Sequence, residues 1–182
     1  MIPSINCSFS FFLGCSMAIM NETLDHDARS NGTITALLAK HHDDYNAAVG
    51  GRLQEGGTAD EGVCRGYTGY WCYLAKDATQ TREDYMTGQL EIKKCTDTEQ
   101  RSLSLLDGTS TSFVIESFNF YELRMVLEGP KIGCELVKET SESSEFEFVA
   151  EASALDGDFD QGSVGIAAWG TSWYLFFFQV HL

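Results

Sequence analysis

The sequence predicts a mainly β domain with a minor α component, in which an amino-terminal helix precedes an antiparallel meander that closes as a β-barrel or folds as a sandwich. Three observations carry this. Apolar and polar residues alternate over several short runs, glycine-bearing or proline-bearing turns separate those runs, and one stretch, 34–49, shows helical spacing.

Residues 1–18 read as a secretory leader. Ser8 to Ala18 is apolar and ends in Ser16-Met17-Ala18, the small-x-small pattern that signal peptidase cleaves, although the leading MIPSIN has no basic side chain. The competing reading is a buried amino-terminal strand. Residues 19–182 then form one disulfide-stabilised, β-rich domain. Losing 1–18 removes Cys7 and Cys15 and leaves Cys64, Cys72, Cys95 and Cys134. This even set contains no C-x-x-C pair, so two disulfides are expected over a zinc cluster, with three connectivities open. Asn21-Glu22-Thr23 and Asn31-Gly32-Thr33 are glycosylation sequons just past the cleavage point. Together these features point to a secreted, extracellular glycoprotein.

Ile34, Leu37, Leu38, His41, Tyr45 and Val49 recur at intervals of three and four, the basis of the expected helix. Ser30 or Thr33 can cap its start and Gly50-Gly51 can end it. Arg52 to Gly62 reads as a loop. Strands follow at Gly69–Ala75, Met86–Lys93, Thr111–Phe118, Tyr121–Leu127, Ile132–Lys138 and Glu145–Ala150, with Gly129-Pro130 as a hairpin turn. Gly162 to Leu182 lacks Asp, Glu, Lys and Arg and is rich in aromatics. It reads as a core strand pair bent near Gly170, or else as a membrane anchor.

The chain has 182 residues, 43% of them apolar, enough for a sizeable core. Its 27 Asp and Glu against 12 Lys and Arg give a formal net charge of −15. Such a surface repels polyphosphate, which excludes nucleic acid as a partner, and attracts amines and metal ions. A membrane is a partner only if the carboxy-terminal segment anchors there.

Gly69-Tyr70-Trp71, preceded by Tyr67 and followed by Leu74, resembles the G-x-W signature that opens the first barrel strand of lipocalins. Gly133-Cys134-Glu135-Leu136 resembles the late cysteine strand of arthropod salivary lipocalins. The resemblance implies a calycin barrel with Trp71 at its floor and a cavity for a small ligand. Cys72 stands where that family carries an aromatic, and neither a T-D-Y motif nor a carboxy-terminal helix is present.

The first functional reading is therefore a secreted binding protein holding a small apolar or amine ligand, or a lipid, in a β-barrel. Trp71, Tyr85, Phe113, Tyr121 and Met125 are its candidate ligand-binding residues. The alternative is an extracellular or cell-surface interaction protein without a small-molecule pocket. An enzyme has less support, since G-x-S-x-G, H-E-x-x-H, phosphate-loop and dinucleotide signatures do not occur, which leaves only an extracellular hydrolase with an unrecognised acid pair. No cofactor is expected beyond calcium. Asp156, Asp158 and Asp160 stand on alternate residues like the ligands of a calcium loop, although Gln161 and Ala167 occupy the positions where a helix-loop-helix site needs Gly and Glu. His41-His42-Asp43-Asp44 cannot focus its imidazoles on one ion if it lies on a helix, because adjacent residues diverge.

Overall fold

A computed structural model describes residues 16–20, 31–40, 46–55, 67–82, 85–96, 103–140, 145–168 and 173–181. Its strands are β1 (Ser16–Met20), β2 (Gly32–Lys40), β3 (Ala47–Glu55), β4 (Tyr67–Arg82), β5 (Tyr85–Cys95), β6 (Leu103–Gly108), β7 (Phe113–Glu116), β8 (Phe120–Glu128), β9 (Lys131–Glu139), β10 (Phe146–Leu155), β11 (Ser163–Ala168) and β12 (Trp173–His181). A seven-stranded sheet runs β1-β11-β3-β4-β5-β6, with β7 also paired to β5, and a five-stranded sheet runs β10-β9-β8-β2-β12. The pairings within both sheets are antiparallel.

The sheets face each other across one core. Ile34, Ala36 and Leu38 on β2, Tyr121, Leu123, Met125 and Leu127 on β8, and Ile132, Cys134 and Leu136 on β9 pack against Val49, Tyr70, Cys72, Leu74, Leu90 and Ile92. Each large apolar side chain so buried stabilises the fold by roughly 1.5–3 kcal/mol. A disulfide joins Cys72 on β4 to Cys134 on β9, tying one sheet to the other. Cys95 is disulfide-bonded as well, while Cys64 lies outside the described residues.

Two expectations are corrected here. The stretch 34–49 is not a helix: its two ends belong to β2 and β3, while residues 41–45 lie outside the described residues. Both strands are covered on both faces, so the apolar residues lose the alternation of a half-wet strand and fall by chance at helical intervals. Gly50 reflects this crowding, since a Cβ there would sit 2.8 Å from the Trp71 ring. Strand β3 also runs on to Glu55, into the predicted loop.

Nor is there a closed barrel. Among the described residues no strand pairs from one sheet to the other, so the structure is a sandwich. Trp71 does not floor a cavity. It lies across the seven-stranded sheet from the main core, in a second cluster with Ala48, Leu53, Tyr73, Ala75, Cys95 and Ala167.

Most other strands lie where alternation placed them. The β8–β9 hairpin turns at Gly129-Pro130, where Gly129 has φ 54°, a value that favours glycine. The aromatic terminus forms β11 and β12, which join different sheets rather than pairing with each other. Among the described residues no helix is long and apolar enough to cross a membrane.

Candidate functional site

The outer face of the five-stranded sheet carries the polar residues that alternation sends away from the core. Register places them in rows across β10, β9 and β8. One row is Ser153, Gly133 and Val126, and the next is Glu151, Glu135 and Arg124. Gly133 has no side chain, so its row is low at the centre while Glu128, Lys131, Glu135 and Glu151 stand around it. The result is a hollow of about 420 Å³ whose wall also includes Asp107 of β6. A second hollow of about 570 Å³ shares Asp107, Lys131 and Ser153 and adds Leu106, Ala154 and Leu155, so the two form one cleft along β10.

The walls of the cleft are held from behind. Arg124 donates to Glu122 Oε2 from Nε at 2.9 Å and to Glu135 Oε2 from Nη1 at 3.1 Å. Burial opposes the charge on Arg124, but these carboxylates outweigh it and raise its pKa. Glu135 is therefore aimed rather than free to rotate. Asp107 Oδ2 accepts from the Ser153 backbone N–H at 2.9 Å, which fastens the edge strand β10 to β6 of the opposite sheet. Further along β10, Phe146 and Phe148 are exposed on the same outer face, and Phe146 lies 5.9 Å from the Arg124 guanidinium carbon. The cleft thus offers carboxylate acceptors, one ammonium and a smooth floor at Val126 and Gly133.

The Asp156–Asp160 loop is a second charged region. Tyr70 donates to Asp156 Oδ1 at 2.5 Å and accepts from the Phe159 N–H at 3.1 Å. Burial first, then the Asp156 hydrogen bond, pushes the Tyr70 pKa up to about 12. Lys94 donates to Asp156 Oδ2 at 2.6 Å and also bonds Asp158. Burial would lower the Lys94 pKa and raise that of Asp156, yet their mutual bonds prevail, so Lys94 is raised and Asp156 lowered. Arg52, buried and with φ 54°, donates to Phe159 O at 3.2 Å and Gly129 O at 2.5 Å, pinning the loop to the β8–β9 turn. Burial lowers the Arg52 pKa, with Tyr70 and Asp160 acting in the other direction.

Of the three carboxylates read as calcium ligands, Asp156 and Asp158 close on the Lys94 ammonium, and among the described residues no three His, Cys, Asp or Glu side chains gather as a metal site.

Of the remaining sequence-predicted residues, three share the main core and Trp71 does not. Tyr121 and Met125 are buried between the sheets, Phe113 packs at the edge of that core, and Trp71 lies beyond the seven-stranded sheet. Tyr85 pairs with Glu116 through the backbone of β5. Asn31 is exposed, and its Oδ1 accepts from the Gly129 N–H at 2.8 Å, whereas Asn21 lies outside the described residues.

The residues of the cleft carry no sequence signature, since Gly133, Glu135 and Ser153 meet only through strand register. A signal for Lys94 did exist. Leu90 and Ile92 alternate toward the core, and the next step of two falls on Lys94, so a buried lysine in need of carboxylates was readable.

No protein-family model and no curated sequence matches the chain. Solved structures do. The legume lectin-like domain of Entamoeba histolytica is similar with a TM-score of 0.56 at 12% identity, covering 99% of this chain and 83% of that one. The exoplasmic/lumenal domain of VIP36, in a form bound to Ca2+ and Man3GlcNAc, gives a TM-score of 0.52 at 11% identity, covering 84% of this chain and 69% of that one. The fold is therefore a lectin-like β-sandwich, which replaces the lipocalin resemblance. A disulfide between the sheets is compatible with an oxidising, secretory or extracellular compartment.

Proposed function

We propose that this sandwich is an extracellular or lumenal carbohydrate-binding domain, and that the cleft on the outer face of its five-stranded sheet takes the sugar. The observation that carries the reading is the hollow around Gly133, where carboxylates from four strands surround a low floor of Gly133 and Val126. Sugar hydroxyls are hydrogen-bond donors that such carboxylates accept, and the flat C–H face of a pyranose fits a floor of Val126 and backbone. The fold supports this, since one similar domain is named as bound to Man3GlcNAc. This reading sides with an interaction protein outside the cell over a barrel carrier of amines or lipids.

The leader at 1–18, the glycans on Asn21 and Asn31 and a second disulfide using Cys64 belong to the same proposal. Strand β1 spans the cleavage point, so cleavage would remove its residues Ser16, Met17 and Ala18. Because β1 lies at the edge of its sheet, this trims the ladder without breaking it.

The test is isothermal titration of the folded chain with mannose oligosaccharides and a wider neutral glycan panel, beside Gly133→Leu. A Cβ at Gly133 meets Val126 Cβ at 3.6 Å, ordinary contact, so the variant keeps the fold while its side chain fills the hollow. Saturable binding lost in Gly133→Leu supports the site. Binding unaffected by that change moves the site elsewhere, and no binding to any glycan removes the reading.

A further inference from the structure

The loop DGDFD, residues 156–160, has the composition of a cation site, and a cation sits in it. We propose that the Lys94 ammonium is the resident cation of the Asp156–Asp158 pair, so that this loop keeps its shape without calcium although a similar domain is known as a Ca2+-bound form.

Geometry carries the inference. Lys94 on β5 pairs with Tyr70 on β4 and Ser104 on β6, which buries its stem and leaves the residue 7% exposed. The ammonium is thus delivered to the loop from within the sheet. It meets Asp156 Oδ2 at 2.6 Å and bonds Asp158, while Asp156 Oδ1 is occupied by the Tyr70 hydroxyl at 2.5 Å and the Asp158 N–H at 3.0 Å. Both oxygens of Asp156 are in use. Calcium takes carboxylate oxygens at roughly 2.3–2.6 Å, so an ion bridging Asp156 and Asp158 would coincide with the ammonium. The two exclude each other, and calcium could enter only by driving a buried lysine off its partners, which leaves that ammonium uncompensated.

The test uses thermal melts of the full chain in EDTA and in millimolar CaCl2, for the natural sequence, Asp158→Asn, Lys94→Met, and Lys94→Met with Asp158→Asn. Methionine keeps a long unbranched stem and deletes the charge. The natural protein melts at the same temperature in both buffers. Lys94→Met loses on the order of 10 °C in EDTA, regains part of it in CaCl2, and fails to regain it once Asp158 is also changed. A rise of the natural protein in CaCl2 that Asp158→Asn abolishes overturns the proposal. A rise that survives Asp158→Asn locates calcium elsewhere and supports the assignment. Unchanged melting of Lys94→Met also overturns it, and if that variant does not fold, the natural protein and Asp158→Asn decide. None of these readouts depends on sugar binding.

Discussion

Cys72 and Cys134 face each other across the core with their Cα atoms 5.6 Å apart, one in each sheet and 62 residues apart in sequence. A bridge closing a loop of this size restricts the unfolded chain by about 4 kcal/mol in the chain-entropy account. Both cysteines are core residues, so Cys72→Ala with Cys134→Ala loses the bridge with little change in polarity. We expect the double variant to melt on the order of 10 °C lower. Non-reducing peptide mapping of the natural protein should recover the Cys72–Cys134 pair.

The Lys94 network predicts stability that falls at both ends of the pH scale. The lowered pKa of Asp156 contributes stability that is present above the ordinary aspartate range, about 4, and is lost as pH falls through the folded value. Glu116, lowered by its bond to Lys138, acts in the same direction with less weight because it is more exposed. Tyr70 is raised to about 12 and Lys94 is raised as well, so their contributions are complete below about 10 and are lost as pH climbs past that value. Urea melts across the pH range check this. Asp156→Asn should flatten the acid limb, and Tyr70→Phe should soften the alkaline one.

Gly50 packs between Trp71 and Leu53, with the Trp71 ring 2.8 Å and Leu53 Cδ1 3.0 Å from where a Cβ would lie. At a helix end, as its sequence context suggests, Gly50→Ala would cost only the strain of a left-handed cap, about 1 kcal/mol. In the middle of a strand covered on both faces it overpacks. We expect a loss of about 1–3 kcal/mol by chemical denaturation, whereas Gly129→Ala, in open space, costs only the strain of its φ of 54°.

The same residues show what was legible beforehand. Strands β5, β8 and β10 have one wetter face, so Leu90 and Ile92, Leu123 and Met125, and Ala150 and Ala152 alternate with polar neighbours and reveal themselves. Strands β2 and β3 have no wet face. Leu37 and Leu38 are adjacent apolar residues on opposite faces, and a one-dimensional pattern cannot tell that from a helical stripe. Trp71 looked like a family marker because its neighbours Gly69 and Tyr70 completed a short motif, whereas its position is set by the outer cluster around Leu53. The cleft was invisible because it depends on Gly133 lying beside Ser153 and Val126, a register that no single strand encodes. Lys94 and Asp156 are separated by 62 residues, so only the demand of a buried lysine for a carboxylate could have linked them.

The contact between Asp107 and Ser153 joins stability to the proposed site. Strand β10 is the free edge of its sheet, and its Ser153 amide points away from β9, where an edge amide would ordinarily meet water. Asp107 accepts that N–H at 2.9 Å, so the wall of the cleft is clamped to the opposite sheet by one charge-assisted hydrogen bond. Asp107→Ala removes the clamp at a cost of about 1–2 kcal/mol or less, since both residues are partly or fully exposed. Global melting should therefore move little. Hydrogen exchange at the Ser153 amide should accelerate by at least about tenfold, because a local opening replaces a held bond. If the cleft takes sugar, affinity should fall with it, since the carboxylate is lost from the wall and Glu151 rides on the loosened strand. Asp107→Asn keeps an acceptor and should restore slow exchange at Ser153. An unchanged exchange rate in Asp107→Ala would show that β10 is held by its pairing with β9 alone.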